Sequence, residues 1–97
     1  MAITGHQLRA ARALAGIDQT ELAKASKVSI NTIRKMEARA NQRVRVRLDT
    51  MERISEALED FGVRFTDADD GGGVGVRLIR RPTPQKRATM DATKSNN

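Results

Sequence analysis

Ninety-seven residues, 38% hydrophobic and 2% aromatic, leave room for one small domain whose core must be Leu, Ile, Val, Ala and Met; a mainly α fold is expected and multi-step enzyme architectures are excluded. With no cysteine and a single histidine, a disulfide framework, a thiol nucleophile and a Cys/His metal cluster are excluded as well. The 18 Lys and Arg against 12 Asp and Glu, net +6, favour a polyanionic partner, and the scarcity of aromatics for base stacking points to duplex DNA rather than single strands or RNA.

The charge is polarised along the chain. Residues 19–47 hold eight basic against two acidic side chains, 48–70 two against eight, and 71–97 six against one. A nucleic-acid footprint over 19–47 is one reading; a solvated face with a basic tail is the other. No apolar run approaches the roughly 20 residues that span a bilayer, and the N-terminal stretch lacks a signal peptide's apolar core, so no membrane association and a cytoplasmic location are expected.

Thr4 and Gln7 stand at capping-box spacing, Leu8, Ala11, Leu14 and Ala15 share a face, and Gly16 suits a helix end, which predicts a first helix over 5–15. Asp18 and Glu21 form a second box before Leu22, Ala23 and Ala25, predicting a helix over 19–25. Ser26 and Lys27 break that pattern, Val28 is an apolar plug, and Ser29 caps a third helix over 30–38 anchored by Ile33 and Met36. The stretch Arg39 to Arg47 alternates Arg with Val and reads as an extended basic connection. Asp49 and Glu52 are expected to cap a fourth helix, with Met51, Ile54, Leu58 and Phe61 on its apolar face and Gly62 at its end. Val63 and Phe65 alternate with polar residues, TDADDGGG forms a loop, and Val76 to Ile79 is a second strand-like run. The resulting hairpin must pack on the helices or pair with another chain's strand, because two strands alone are marginal in water. Two prolines and no apolar period make 82–97 a disordered basic tail.

The stretch QTELAKASKVSINTIRKME, residues 19–37, with LRAAR ahead of it, resembles the helix-turn-helix of the phage repressor and Cro (Xre) family. The matching residues are Gln19 opening helix 2, Ala23 where two helices cross, Val28 in the turn, Ser29 before the recognition helix and Ile33 as its anchor. The likeness covers about residues 4–62, and the GVRF and GVRL segments are similar to a β extension found in a bacterial subset. It implies a lambda-repressor-like four-helix domain over 1–62; after it come the hairpin extension over 63–81, which either serves as a dimerisation element or merely covers the core, and the tail over 82–97.

At about 100° per residue, Asn31, Arg34, Lys35 and Ala38 lie away from Ile33 and Met36, so the outward face of helix 3 is polar and basic. In the family the start of this helix enters the major groove, which maps base contact onto Ser29, Ile30, Asn31 and Lys35. Asn suits adenine, Lys suits guanine, and Ile meets only apolar groups such as the thymine methyl. Packing of Ile30 against helix 2 is the alternative. The resemblance places backbone contacts at Gln19, Thr32 and Arg34 and, in the loop, at Arg39, Asn41, Arg43 and Arg45, and the charge of Lys27, beside the expected DNA face, adds it to the backbone contacts. For Gln19 and Arg34 plain solvent exposure is the alternative; for the loop arginines it is pairing with Glu52, Glu56, Glu59 and Asp60. Lys27 occupies a turn position that the family usually fills with Gly, where positive φ costs a side chain about 1 kcal/mol.

Homodimeric, sequence-specific binding of double-stranded DNA as a repressor is the implied function. A protein-interaction module, such as an antitoxin or anti-activator gripping a protein partner through the hairpin or tail, is the rival. No catalytic, metal or cofactor site is expected. His6 reads as a first-turn surface residue, Glu59/Asp60 and Asp69/Asp70 lack a third ligand class, and the glycines from Gly71 to Gly75 lack the Lys-Ser/Thr pair and helix of a phosphate-binding loop.

Overall fold

Side-chain caps set the starts of the first three helices in the computed structural model, which describes residues 2–79. Thr4 Oγ1 accepts the Gln7 N–H and Gln7 Oε1 accepts the Thr4 N–H, each at 3.0 Å, opening α1 (Gly5–Ala15). Gly16 closes it at φ 76°. Asp18 and Glu21 make the same reciprocal pair at the start of α2 (Gln19–Ser26), and Ser29 caps α3 (Ile30–Glu37) by accepting the Thr32 N–H at 3.1 Å. Ser26 is the last residue of α2 rather than a break before its end, and its buried hydroxyl is satisfied by donating to the Leu22 carbonyl at 2.7 Å. Ala38 is the C-cap of α3.

The fourth helix, α4 (Leu48–Asp60), corrects the expected cap. Leu48 joins the helix, which moves the N-cap to Arg47, and no side chain caps it there. Asp49 falls within the first turn, where it accepts the Thr50 N–H at 2.9 Å and Arg47 Nε at 3.2 Å. Met51, Ile54 and Leu58 are buried as the period requires, while Phe61, at the C-cap, is half-buried. Two further apolar positions depart from their expected faces: Ala25 is exposed and Leu14 is 37% exposed.

The strands β1 (Val63–Thr66) and β2 (Gly75–Leu78) form an antiparallel hairpin in the register Val63↔Leu78, Arg64↔Arg77, Phe65↔Val76, Thr66↔Gly75. Val63 and Phe65 are buried; β1 packs on α1 and α4, and β2 on α1. Gln7 does more than cap: its Nε2 donates to the carbonyls of Thr66 (3.2 Å) and Gly75 (2.9 Å), tying the hairpin to α1. One core thus runs from Ile3, Leu8 and Ala11 through Leu22, Ile33 and Met36 to Ile54, Leu58 and Val63. The tail expected over 82–97 lies outside the described residues.

Two tertiary contacts hold α3 against α1. Gly5 lies so close to the end of α3 that a Cβ there would stand 2.5 Å from the Met36 carbonyl oxygen and 2.7 Å from Ala40 N and the Glu37 carbonyl oxygen. The Arg12 guanidinium makes a two-pronged hydrogen bond to Glu37, Nε to Oε2 at 2.5 Å and Nη2 to Oε1 at 2.9 Å, with Nη1 donating to the Ile17 carbonyl. The Glu37 hydrogen bond raises the Arg12 pKa above its ordinary value, against the opposite pull of burial and with help from the charges of Glu37 and Asp18. Gly5→Ala should therefore destabilise the fold by about 1–3 kcal/mol in chemical denaturation, despite alanine's better helix propensity. Glu37→Ala leaves a largely buried guanidinium unpaired and should cost about 3–5 kcal/mol by the same measurement.

Candidate nucleic-acid interface

The eight residues of α3 divide by exposure. Ile33 is fully buried and Met36 is 2% exposed, which fixes the helix by one side. Asn31, Arg34 and Lys35 are exposed on the other, and Ile30 and Thr32 are half-buried at its start. The half-burial of Ile30 accommodates both of its sequence readings, since part of the side chain packs and part faces outward. Ser29 is exposed, with its hydroxyl engaged by the Thr32 N–H and donating to Thr32 Oγ1 at 3.0 Å.

The turn between α2 and α3 bends through Lys27, which adopts φ 59°, ψ 34° as the α2 C-cap and donates its N–H to the Ala23 carbonyl. The left-handed conformation expected at this position is thus held by a lysine, with Val28 buried beside it. At the start of α2, Gln19 is half-buried and its Nε2 donates to Glu37 Oε1 at 3.2 Å. The same carboxylate binds Arg12, so Glu37 connects α1, the first turn of α2 and the last turn of α3. Sequence reading had no place for Glu37. Its signal is positional: it follows Ile33 and Met36 on the buried stripe, where a carboxylate must find a cation.

The basic connection is folded rather than simply extended. After α3 the chain turns through Ala40, at φ 55°, and His6 N–H donates to its carbonyl at 2.8 Å. Thr4 bridges Arg43, Val44 N–H donates to the Ile3 carbonyl at 2.8 Å, and Val44 is buried. Arg39 is half-buried and its Nε donates to the Arg43 carbonyl at 3.0 Å, so part of its bonding capacity holds the loop. Asn41 Oδ1 lies 2.8 Å from His6 Nδ1, which ties this exposed amide to the start of α1. Arg43, Arg45 and Arg47 are exposed, and Arg47 pairs with Asp49, an acid of the first α4 turn that was not among the expected partners.

A cavity of about 390 Å³ opens where α3, this loop and the first turn of α4 meet. Its rim carries Lys35, Arg39, Arg45 and Arg47 with the hydroxyls of Thr32 and Thr50, over Met36 and Val46. Four cations and two hydroxyls around one concavity form a surface suited to phosphate oxygens. Thr50 escaped the sequence reading because only the tertiary fold brings the start of α4 beside Lys35. The cavity brings Thr32 and Lys35 of α3 together with Arg39, Arg45 and Arg47 of the loop; Gln19 and Lys27 of α2 lie outside it, Gln19 bonded to Glu37 and Lys27 beside Arg53, Glu56 and Asp60 of α4.

Among the described residues no group of three His, Asp or Glu side chains could hold a metal ion, and no helix is long and apolar enough to cross a membrane. No curated protein matches the chain. The helix-turn-helix family model matches residues 8–59, more than half of the sequence, from within the first turn of α1 to the penultimate residue of α4. The chain belongs to the helix-turn-helix family of phage repressor and Cro (Xre) type, a family of DNA-binding transcriptional regulators.

Proposed function

We propose that the protein is a repressor that binds an inverted-repeat operator in duplex DNA as a homodimer. The observation that carries this reading is the division of α3: Ile33 and Met36 are buried while Asn31, Arg34 and Lys35 are offered to solvent at the head of a basic surface. A helix presented in this way fits the major groove by its N-terminal end. Asn31 would pair with adenine, Lys35 with guanine, and the outward part of Ile30 would meet a thymine methyl, with Ser29 beside them. Gln19, Lys27, Thr32, Arg34, Arg39, Asn41, Arg43 and Arg45 would grip phosphates on either side and fix the register of the helix without reading sequence.

One such helix reads only a few base pairs, so useful affinity calls for two copies about 34 Å apart on one face of the duplex. Occupying an operator that overlaps a promoter excludes polymerase sterically and requires nothing beyond binding, which makes repression the regulatory sense that this architecture supports best.

Selection of bound fragments from a random DNA library should return an inverted repeat with half-sites one helical turn apart; recovery without any shared sequence would overturn the reading. Asn31→Ala and Lys35→Ala should each lose about 1–3 kcal/mol of discrimination at one position per half-site, measured by anisotropy on operator variants. Arg43→Ala should weaken all sequences alike and reduce the slope of log K against log salt by about one per subunit. A reversal of these two patterns would move base reading from α3 to the loop.

A further inference from the structure

We infer that the open edge of β2 is the self-association surface: it pairs antiparallel with β2 of a second copy about a two-fold axis at Val76, joining two hairpins into one four-stranded sheet. The inference rests on the two-copy reading above and gives it a location.

The hydrogen-bond parity of the hairpin supplies the first ground. Ile79 N–H donates to the Gly62 carbonyl at 2.8 Å, one step beyond the Val63↔Leu78 pair. Positions 62/79 and 64/77 are therefore the hydrogen-bonded pairs, and Val63↔Leu78 and Phe65↔Val76 the non-bonded ones. It follows that the backbone N–H and C=O groups of Val76 and Leu78 point away from β1. Among the described residues nothing hydrogen-bonds them.

Apolar exposure is the second ground. Four large apolar side chains are exposed among the described residues: Leu14, Leu48, Val74 and Leu78. Val76 and Leu78 (40% exposed) stand opposite Phe65 and Val63 on the sheet face that packs on the helices, and Val74 (48% exposed) immediately precedes the strand. Leu14 lies two helical turns beyond Gln7 on the stripe of α1 that holds Gly75. Val76, partly buried against the core, and its exposed neighbour Leu78 thus carry an apolar row to the open edge of the sheet, where a further strand would cover it.

The strand is also its own complement. Centring the axis on Val76 sets Val76 against Val76 of the second copy, Val74 against its Leu78, and Arg77 against its Gly75. Centring it on Arg77 instead would align Arg64, Arg77 and their two counterparts in one row of four cations, and like charges directly opposite are destabilising. Electrostatics selects the first register. Such a pairing is isologous, as a two-fold interface must be, and the segment from Val74 to Leu78 contains no proline or lysine to block it.

Because the sequence contains no cysteine, a single introduced thiol reports the register directly. In the hydrogen-bonded pair at the axis the two Cα atoms would be about 5.5 Å apart, within disulfide range, so Val76→Cys in the full chain should oxidise to a covalent dimer faster than Arg77→Cys. Faster cross-linking through position 77 would overturn the register. Val76→Pro removes an N–H that the β1–β2 ladder does not use. It should weaken dimerisation about tenfold or more in sedimentation equilibrium while leaving the circular dichroism spectrum unchanged. If Val76→Pro dimerises as tightly as the unsubstituted chain, the interface lies elsewhere and the two-copy reading survives. If the unsubstituted chain stays monomeric both free and on an inverted-repeat duplex, both fall.

Discussion

Glu37 is the constraint on which the presentation of α3 depends. An eight-residue helix has too few internal hydrogen bonds to persist in water, so its position must come from tertiary contacts. Ile33 and Met36 supply burial without direction; the Arg12–Glu37 fork supplies direction, because a planar guanidinium meets a carboxylate in one geometry. The Glu37 side chain is 4% exposed, a location that disfavours a charge unless it is paired and fully hydrogen-bonded. Arg12 and Gln19 meet that requirement, and in doing so they fix the end of α3 to the middle of α1 and the start of α2. Gly5 completes the arrangement by permitting backbone to approach backbone where α1 begins and α3 ends.

The same economy shapes the loop after α3. Arginine-rich segments are commonly solvated and mobile, yet this one is fastened at Ala40, Gln42, Arg43 and Val44 to the residues from Ile3 to His6. Fastening the backbone while leaving Arg43 and Arg45 exposed holds charge close to a defined place and lowers the entropy that a polyanion would otherwise have to remove on binding. Lys27 and Ala40, both in the left-handed region, bracket α3 at its two ends. Each carries a local conformational cost of about 1–2 kcal/mol, offset by the packing of the turns around it.

The hairpin enters the same core from the opposite direction. Val63 and Phe65 extend the helical core, and Gln7, by bonding two strand carbonyls while capping α1, links the first turn of the domain to its last described element. The packing of β1 settles half of the alternative left open at the sequence level: the hairpin covers the helices. It leaves uncovered the edge of β2, with Val76 partly buried and Leu78 exposed along it.

Local chemistry was legible in the sequence. Thr4/Gln7, Asp18/Glu21 and Ser29 placed three helix starts, Gly16 placed an end, and Ile33 and Met36 identified the buried side of α3 and hence its outward residues, because capping and periodicity involve neighbours three or four positions apart. The start of α4 departs from the expected one because Asp49 and Glu52 have the spacing of a cap, while the helix begins at Leu48 with Arg47 as an N-cap that makes no side-chain hydrogen bond. Leu14 kept its period but not its burial, since exposure depends on which element lies opposite. Glu37 with Arg12, Gly5 against Met36, and Thr50 beside Lys35 join residues 25, 31 and 15 positions apart. The sequence by itself thus determined which helices form and which side of each is apolar; only the tertiary structure decided how those sides meet, because long-range contacts depend on geometry that no local pattern encodes.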